Sequence, residues 1–226
     1  MRKRKSVKGA CAVSIIRGND GPTSVFIAGK SVNQNIFARM KTAYQKKRHQ
    51  RKRAAAIKSI KSEPHTLDEV IDYIIKQYGA VEPDQNSYQV KEGYRNVKGA
   101  LVERHAPHLL GTPLRELRPK DFSDEKAVEE YLRLCEEYQK KAAEISEEIF
   151  PMDYHLYVIK IENVGEIQVE IEKNHRFFGA GFSGAPGKKK HLDKILKDIY
   201  SYYGVTKEDI ASNTDRMKSL VAVLSS

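Results

Sequence analysis

Tryptophan is absent from this 226-residue chain, and cysteine occurs only twice, at Cys11 and Cys135. Two cysteines in unrelated contexts exclude a disulfide framework and a cysteine-based metal knuckle. Long apolar runs are also missing. Val25–Ala28 and Leu220–Leu224 fall far short of the roughly 20 residues that a membrane-spanning helix needs. The basic start Met1-Arg-Lys-Arg-Lys5 leads into an apolar stretch broken by Arg17, Asn19 and Asp20, which is not the pattern of a secretory leader. These absences predict a protein of the cytoplasm with no membrane partner. No cofactor motif and no catalytic or metal-ligating set emerges, so the sequence leans away from an enzyme.

Acidic residues are nearly absent from one part of the chain. Residues 1–62 hold seventeen Lys/Arg and a single acid, Asp20, a formal charge of +16. The other 164 residues hold 23 basic and 29 acidic side chains, a charge of −6, so the net +10 belongs to the first quarter. A basic segment joined to an acidic body predicts a polyanion as partner. The charge is densest at Lys46, Lys47, Arg48, Arg51, Lys52 and Arg53, six cations in eight residues. Helical spacing of Ile36, Met40 and Tyr44 before them, and of Ala54–Ile57 and Ile60 after them, predicts one helix over 35–60. In this reading both of its ends are tethered by apolar residues and its middle is exposed. A phosphate backbone would relieve the mutual repulsion of the six cations, and release of its counterions would drive binding. They are the candidate nucleic-acid-binding residues.

The rest of the chain reads as α+β. An N-terminal β-hairpin spans 9–30, with Gly18-Asn-Asp-Gly-Pro22 as its turn. After the basic helix, Thr66-Leu-Asp-Glu69 opens a helix that Gly79 stops. Further helices are predicted over 88–104 and 123–149, the second with Val128, Cys135, Tyr138 and Ala142 on one face. Tyr154–Ile161 is apolar at almost every position, as a strand buried on both faces would be. The turn Glu162-Asn-Val-Gly165 and the alternating Ile167, Val169 and Ile171 complete a second hairpin. A third strand is expected at His175–Phe178, and helices at 188–203 and 207–224. The divisions are a basic hairpin-plus-helix segment at 1–62, a helical region at 63–150 and a β-meander with C-terminal helices at 151–226.

The stretch Gly179-Ala-Gly-Phe-Ser-Gly-Ala-Pro-Gly-Lys-Lys-Lys190 is read as a glycine-rich loop between a strand and a helix. Gly179, Gly181 and Gly184 would let backbone N–H groups form an anion nest, with Lys188 and Lys189 adding charge. They are the candidate phosphate-binding residues. The pattern departs from a dinucleotide fingerprint, because no following strand carries an acidic residue at the required spacing, and from a phosphate-binding P-loop, because Phe182 and Lys189 occupy defining positions. His105-Ala-Pro-His108 lacks a third ligand, and Pro107 prevents one regular helix from presenting both rings. Tyr200, Tyr202 and Tyr203 follow the lysines, either as base-stacking rings or as half-buried packing.

Ile15-Ile-Arg-Gly-Asn-Asp-Gly-Pro-Thr-Ser-Val-Phe-Ile-Ala28 resembles the Gly-Ala-Asp-Gly-Pro-Thr stretch of the β subunit of sodium-translocating biotin-dependent decarboxylases. Asn19 stands where that family has alanine. The resemblance covers fourteen residues and implies that Asp20 matches the aspartate of the family's ion and carboxybiotin pathway. That family spans the membrane, and this chain has no apolar run long enough to do so. The residues themselves point first to a nucleic-acid or nucleoprotein partner. A protein-interaction or inhibitor module acting on a macromolecular complex, and an enzyme or binder of a phosphorylated ligand at the glycine-rich stretch, are the alternatives.

Overall fold

The computed structural model describes residues 36–226 except 115, 120, 122, 123 and 186, together with strands β1 (Ala12–Ile15) and β2 (Thr23–Phe26), which pair antiparallel. The Gly18–Pro22 turn, with Asp20 in it, lies outside the described residues. Helix α1 runs from Ile36 to Ser59, followed by α2 (Leu67–Tyr78), α3 (Tyr88–His105), a short 3-10 turn (Pro107–Leu109) and α4 (Glu125–Glu144). Strands β3 (Tyr154–Ile161), β4 (Gly165–Glu172) and β5 (Phe177–Gly184) then form an antiparallel sheet in that order. Helices α5 (Lys189–Tyr203), α6 (Lys207–Ser212) and α7 (Asp215–Leu224) complete the α+β chain. Among the described residues, no helix is long and apolar enough to cross a membrane.

The sheet sits between two helical layers because its strands are apolar in alternate directions. Tyr157 and Ile159 of β3, Ile167, Val169 and Ile171 of β4, and Phe178 of β5 share one core with Val70 and Ile74 of α2, Leu192 and Ile199 of α5, and Leu220 of α7. Leu156 and Val158 point the opposite way and pack with Val97 and Leu101 of α3 and Cys135 and Tyr138 of α4. Strand β3 is therefore buried on both faces along most of its length, as its mostly apolar sequence predicts. Lys98, 2% exposed, donates to the main-chain oxygen of Ile145 and ties α3 to the end of α4.

Local signals place the helix ends. Thr66 and Glu69 form a reciprocal capping box at the start of α2, and Gly79 closes it with φ of +64°, a conformation that costs glycine little. Asp124 caps α4 by accepting from the amides of Lys126 and Ala127. The fold differs from the sequence reading in three places. Helix α4 ends at Glu144, where Ile145 turns to extended backbone, and not near Ile149. The C-terminal stretch is two helices: Asn213 adopts φ of +49° and Thr214 caps α7, so 207–224 cannot run as one. The third strand is Phe177–Gly184 and not His175–Phe178.

Candidate nucleic-acid interface

Helix α1 is built from residues that favour helix, mainly Lys, Arg, Gln and Ala, and carries no acidic side chain. Its 24 residues give it a length of about 36 Å. Its C-terminal end is held to the body. Ala56 is buried, α1 packs on α7, and Ile60 joins the core beneath the sheet. Beyond Ile60 the chain is fixed by Arg216, whose guanidinium donates to the main-chain oxygens of Gly204 (2.8 Å), His65 (3.0 Å) and Tyr203. The same guanidinium lies 3.7 Å from the centre of the Tyr203 ring. His65 also donates its amide to Tyr203 and stacks on Tyr202.

Away from this base the helix stands clear. Every residue from Met40 to Ala55 is exposed. Lys46, Lys47, Arg48, Arg51, Lys52 and Arg53 all lie on this stretch. At 100° per residue they leave no gap wider than about 100° around the axis. Among the described residues, Lys46, Lys47, Arg48, Arg51 and Arg53 make no ion pair, and the acidic helix α4 does not neutralise them. The tether expected at the other end is not formed by Met40 and Tyr44, which are 65% and 68% exposed. Helical spacing marked them as a face, but among the described side chains α1 is buried against the body near its C-terminal end, at Ala56.

The glycine-rich stretch is not a loop. Gly179, Gly181 and Gly184 belong to β5 and pair with Glu170, Gln168 and Gly165 of β4. The backbone is extended through Gly184, so successive N–H groups point to opposite sides and do not converge on one anion as in a phosphate nest. Gly184 is glycine for a packing reason, since a Cβ there would lie 2.5 Å from a methyl of Leu192 and 2.8 Å from the carbonyl of Val164. Phe178, Ala180 and Phe182 alternate toward the core, a period-2 signal that the intervening glycines obscured. Lys188 and Lys189 are exposed at the start of α5, with no acid in its first turn. No family model, curated protein or solved structure matches the chain.

The structure brings together residues that the sequence separates widely. Lys52 of α1 (3.1 Å) and Lys197 of α5 (3.3 Å) both donate to the main-chain oxygen of Ser226, so the basic helix and the lysine-rich helix meet there. Lys197 also pairs with Asp193 at 2.7 Å. From this junction Lys194 and Lys190 continue along the exposed side of α5 at helical spacing. No motif in the sequence links Lys52 to α5, which lies more than a hundred residues away.

The other chemically active side chains are engaged internally. The hydroxyls of Tyr73 and Tyr78 both donate to Asp198, and Tyr73, Tyr202 and His65 form a continuous stack with centroids 3.9 Å apart at each step. Burial and the Asp198 carboxylate push the Tyr73 hydroxyl up to about 12. Tyr200 and Tyr203 are buried, so the tyrosine cluster beside the lysines is packing. Glu170 accepts from the Tyr154 hydroxyl at 3.0 Å, and burial holds its carboxyl above the usual carboxylate range. His105 lies at the end of α3, beside His175, whose ring stacks on Phe150. Among the described residues no group of three His, Cys, Asp or Glu could hold a metal ion.

Proposed function

We propose that this is a nucleic-acid- or nucleoprotein-binding protein that contacts the phosphate backbone through α1, within the N-terminal hairpin-plus-helix segment at 1–62. One observation carries the reading. Six cations surround an exposed helix whose base is fixed to the body, and five of them have no ion-pair partner among the described residues. Clustered like charges on one helix destabilise it, and a polyanion removes that cost while releasing counterions. Backbone contacts of this kind are independent of base sequence and sensitive to salt.

A gel-shift series across salt concentration tests it. The protein binds nucleic acid at low salt and releases it as salt rises, and Lys47→Glu/Arg48→Glu/Arg51→Glu abolishes the shift without lowering the melting temperature. Absence of binding at low salt, or an unaltered shift with the triple variant, overturns the reading.

A second reading rests on β5. Among the described residues it pairs with β4 alone, with the Ala180 amide bonded to the Tyr200 hydroxyl, and an open edge can accept an extended segment of a protein partner. A partner that co-purifies after nuclease treatment would favour this reading over the first.

A further inference from the structure

We infer that α1 enters the major groove of double-stranded DNA while Lys190 and Lys194 of α5 hold the phosphate backbone beside it. The inference rests on the nucleic-acid reading above and specifies its ligand. Three observations carry it.

The first is the distribution of charge on α1. A helix lying on one strand needs cations on a single side. Here they point in every direction, and every side from Met40 to Ala55 is exposed. A helix within a groove is flanked by phosphates of both strands. The B-form major groove, about 12 Å wide, admits a helix whose diameter with side chains is about 10–12 Å. The major groove of duplex RNA is too deep and narrow for this.

The second is the condition of the aromatic rings. Single-strand binders stack bases on exposed aromatics beside their cations. Tyr200 and Tyr203 are buried, and Tyr202 lies between the rings of His65 and Tyr73. Tyr44 and His49 are the exposed rings among the described side chains of α1, too few for a stacking platform.

The third is the junction at Ser226. It sets Lys197 against Lys52 at the base of α1, and Lys194 and Lys190 extend the positive surface away from it. Lys197 is already paired with Asp193; neither Lys190 nor Lys194 has an ion-pair partner among the described residues. A backbone passing the base of an inserted α1 would meet these two lysines.

Fluorescence anisotropy with the full chain and three labelled probes tests this: a 20-base-pair DNA duplex, one of its single strands, and an RNA duplex of the same sequence. The DNA duplex binds tightest, by about tenfold or more. With Lys190→Gln/Lys194→Gln, the slope of log affinity against log salt for the DNA duplex falls in magnitude by about two, one for each lost phosphate contact. Lys190→Arg/Lys194→Arg restores it. Equal affinity for the single strand or the RNA duplex overturns groove insertion and leaves the basic-helix reading standing. Failure to bind any of the three at low salt overturns that reading itself. An unchanged slope in the glutamine variant confines the interface to α1 and overturns the role given to α5.

Discussion

Helix α1 and strand β3 are held in place by opposite means. Strand β3 has eight residues and sends its side chains into two cores, Leu156 and Val158 into one, Tyr157 and Ile159 into the other. Helix α1 has three times as many residues, yet its buried contact with the body comes at Ala56, just ahead of Ile60. Burial fixes the strand, and burying a large aliphatic side chain contributes about 1.5–3 kcal/mol. Helix α1 depends on helix propensity, a short apolar tether and the hydrogen bonds around Arg216. Residues that stabilise the fold and residues that would bind a partner are therefore different sets, and their substitutions separate.

The largest contrast lies between Ile159 and Arg53. Ile159→Ala leaves a cavity between the sheet and its helices and costs about 2–5 kcal/mol in urea unfolding. Arg53→Ala changes stability by less than about 0.5 kcal/mol and acts on nucleic-acid affinity instead. Equal destabilisation by the two would show that α1 is an integral part of the packed body.

Arg216→Ala comes next. It removes three hydrogen bonds and the contact with the Tyr203 ring, and costs about 2 kcal/mol. Because those bonds fix the chain just after α1, the variant also weakens nucleic-acid binding although Arg216 is remote from Lys46–Arg53. Reduced stability with unchanged affinity would mean that the mounting of α1 does not matter to its function.

The smallest effect is a gain. A raised Glu170 pKa means that the folded chain holds this proton more tightly than the unfolded chain. That contribution to stability is fully present below the ordinary carboxylate value near 4.5 and is lost as pH rises through the raised value of the folded state. Glu170→Gln keeps a neutral side chain beside Tyr154, so it raises the melting temperature at pH 7 and flattens the stability profile between pH 4 and 7. A pH dependence unaltered by Glu170→Gln would place its origin elsewhere.

Much of the fold was legible in the sequence because its signals are local. The capping box at Thr66, the stop at Gly79, the mostly apolar run of β3 and the charge cluster of α1 each lie within a few residues, and each element forms where those residues predict it. The misreadings arose where distant contacts outweigh local composition. Three glycines within six residues look like a loop, but hydrogen bonds to β4 make them a strand. Met40 and Tyr44 look like a buried face, but the body does not reach them. The site was legible by half: the six cations stand out in sequence, whereas their junction with α5 does not.

The sequence by itself determined where the charge lies and most of the helices and strands, since both follow from neighbouring side chains and their periodicity. Only the tertiary structure decided that the glycines are paired, that the tyrosines are packed, and that α1 is fixed at one end beside the lysines of α5. Those outcomes depend on contacts between residues far apart in the chain, such as Lys52 with Ser226 and His65 with Arg216. They form only when burial of the sheet's two faces draws the helices together.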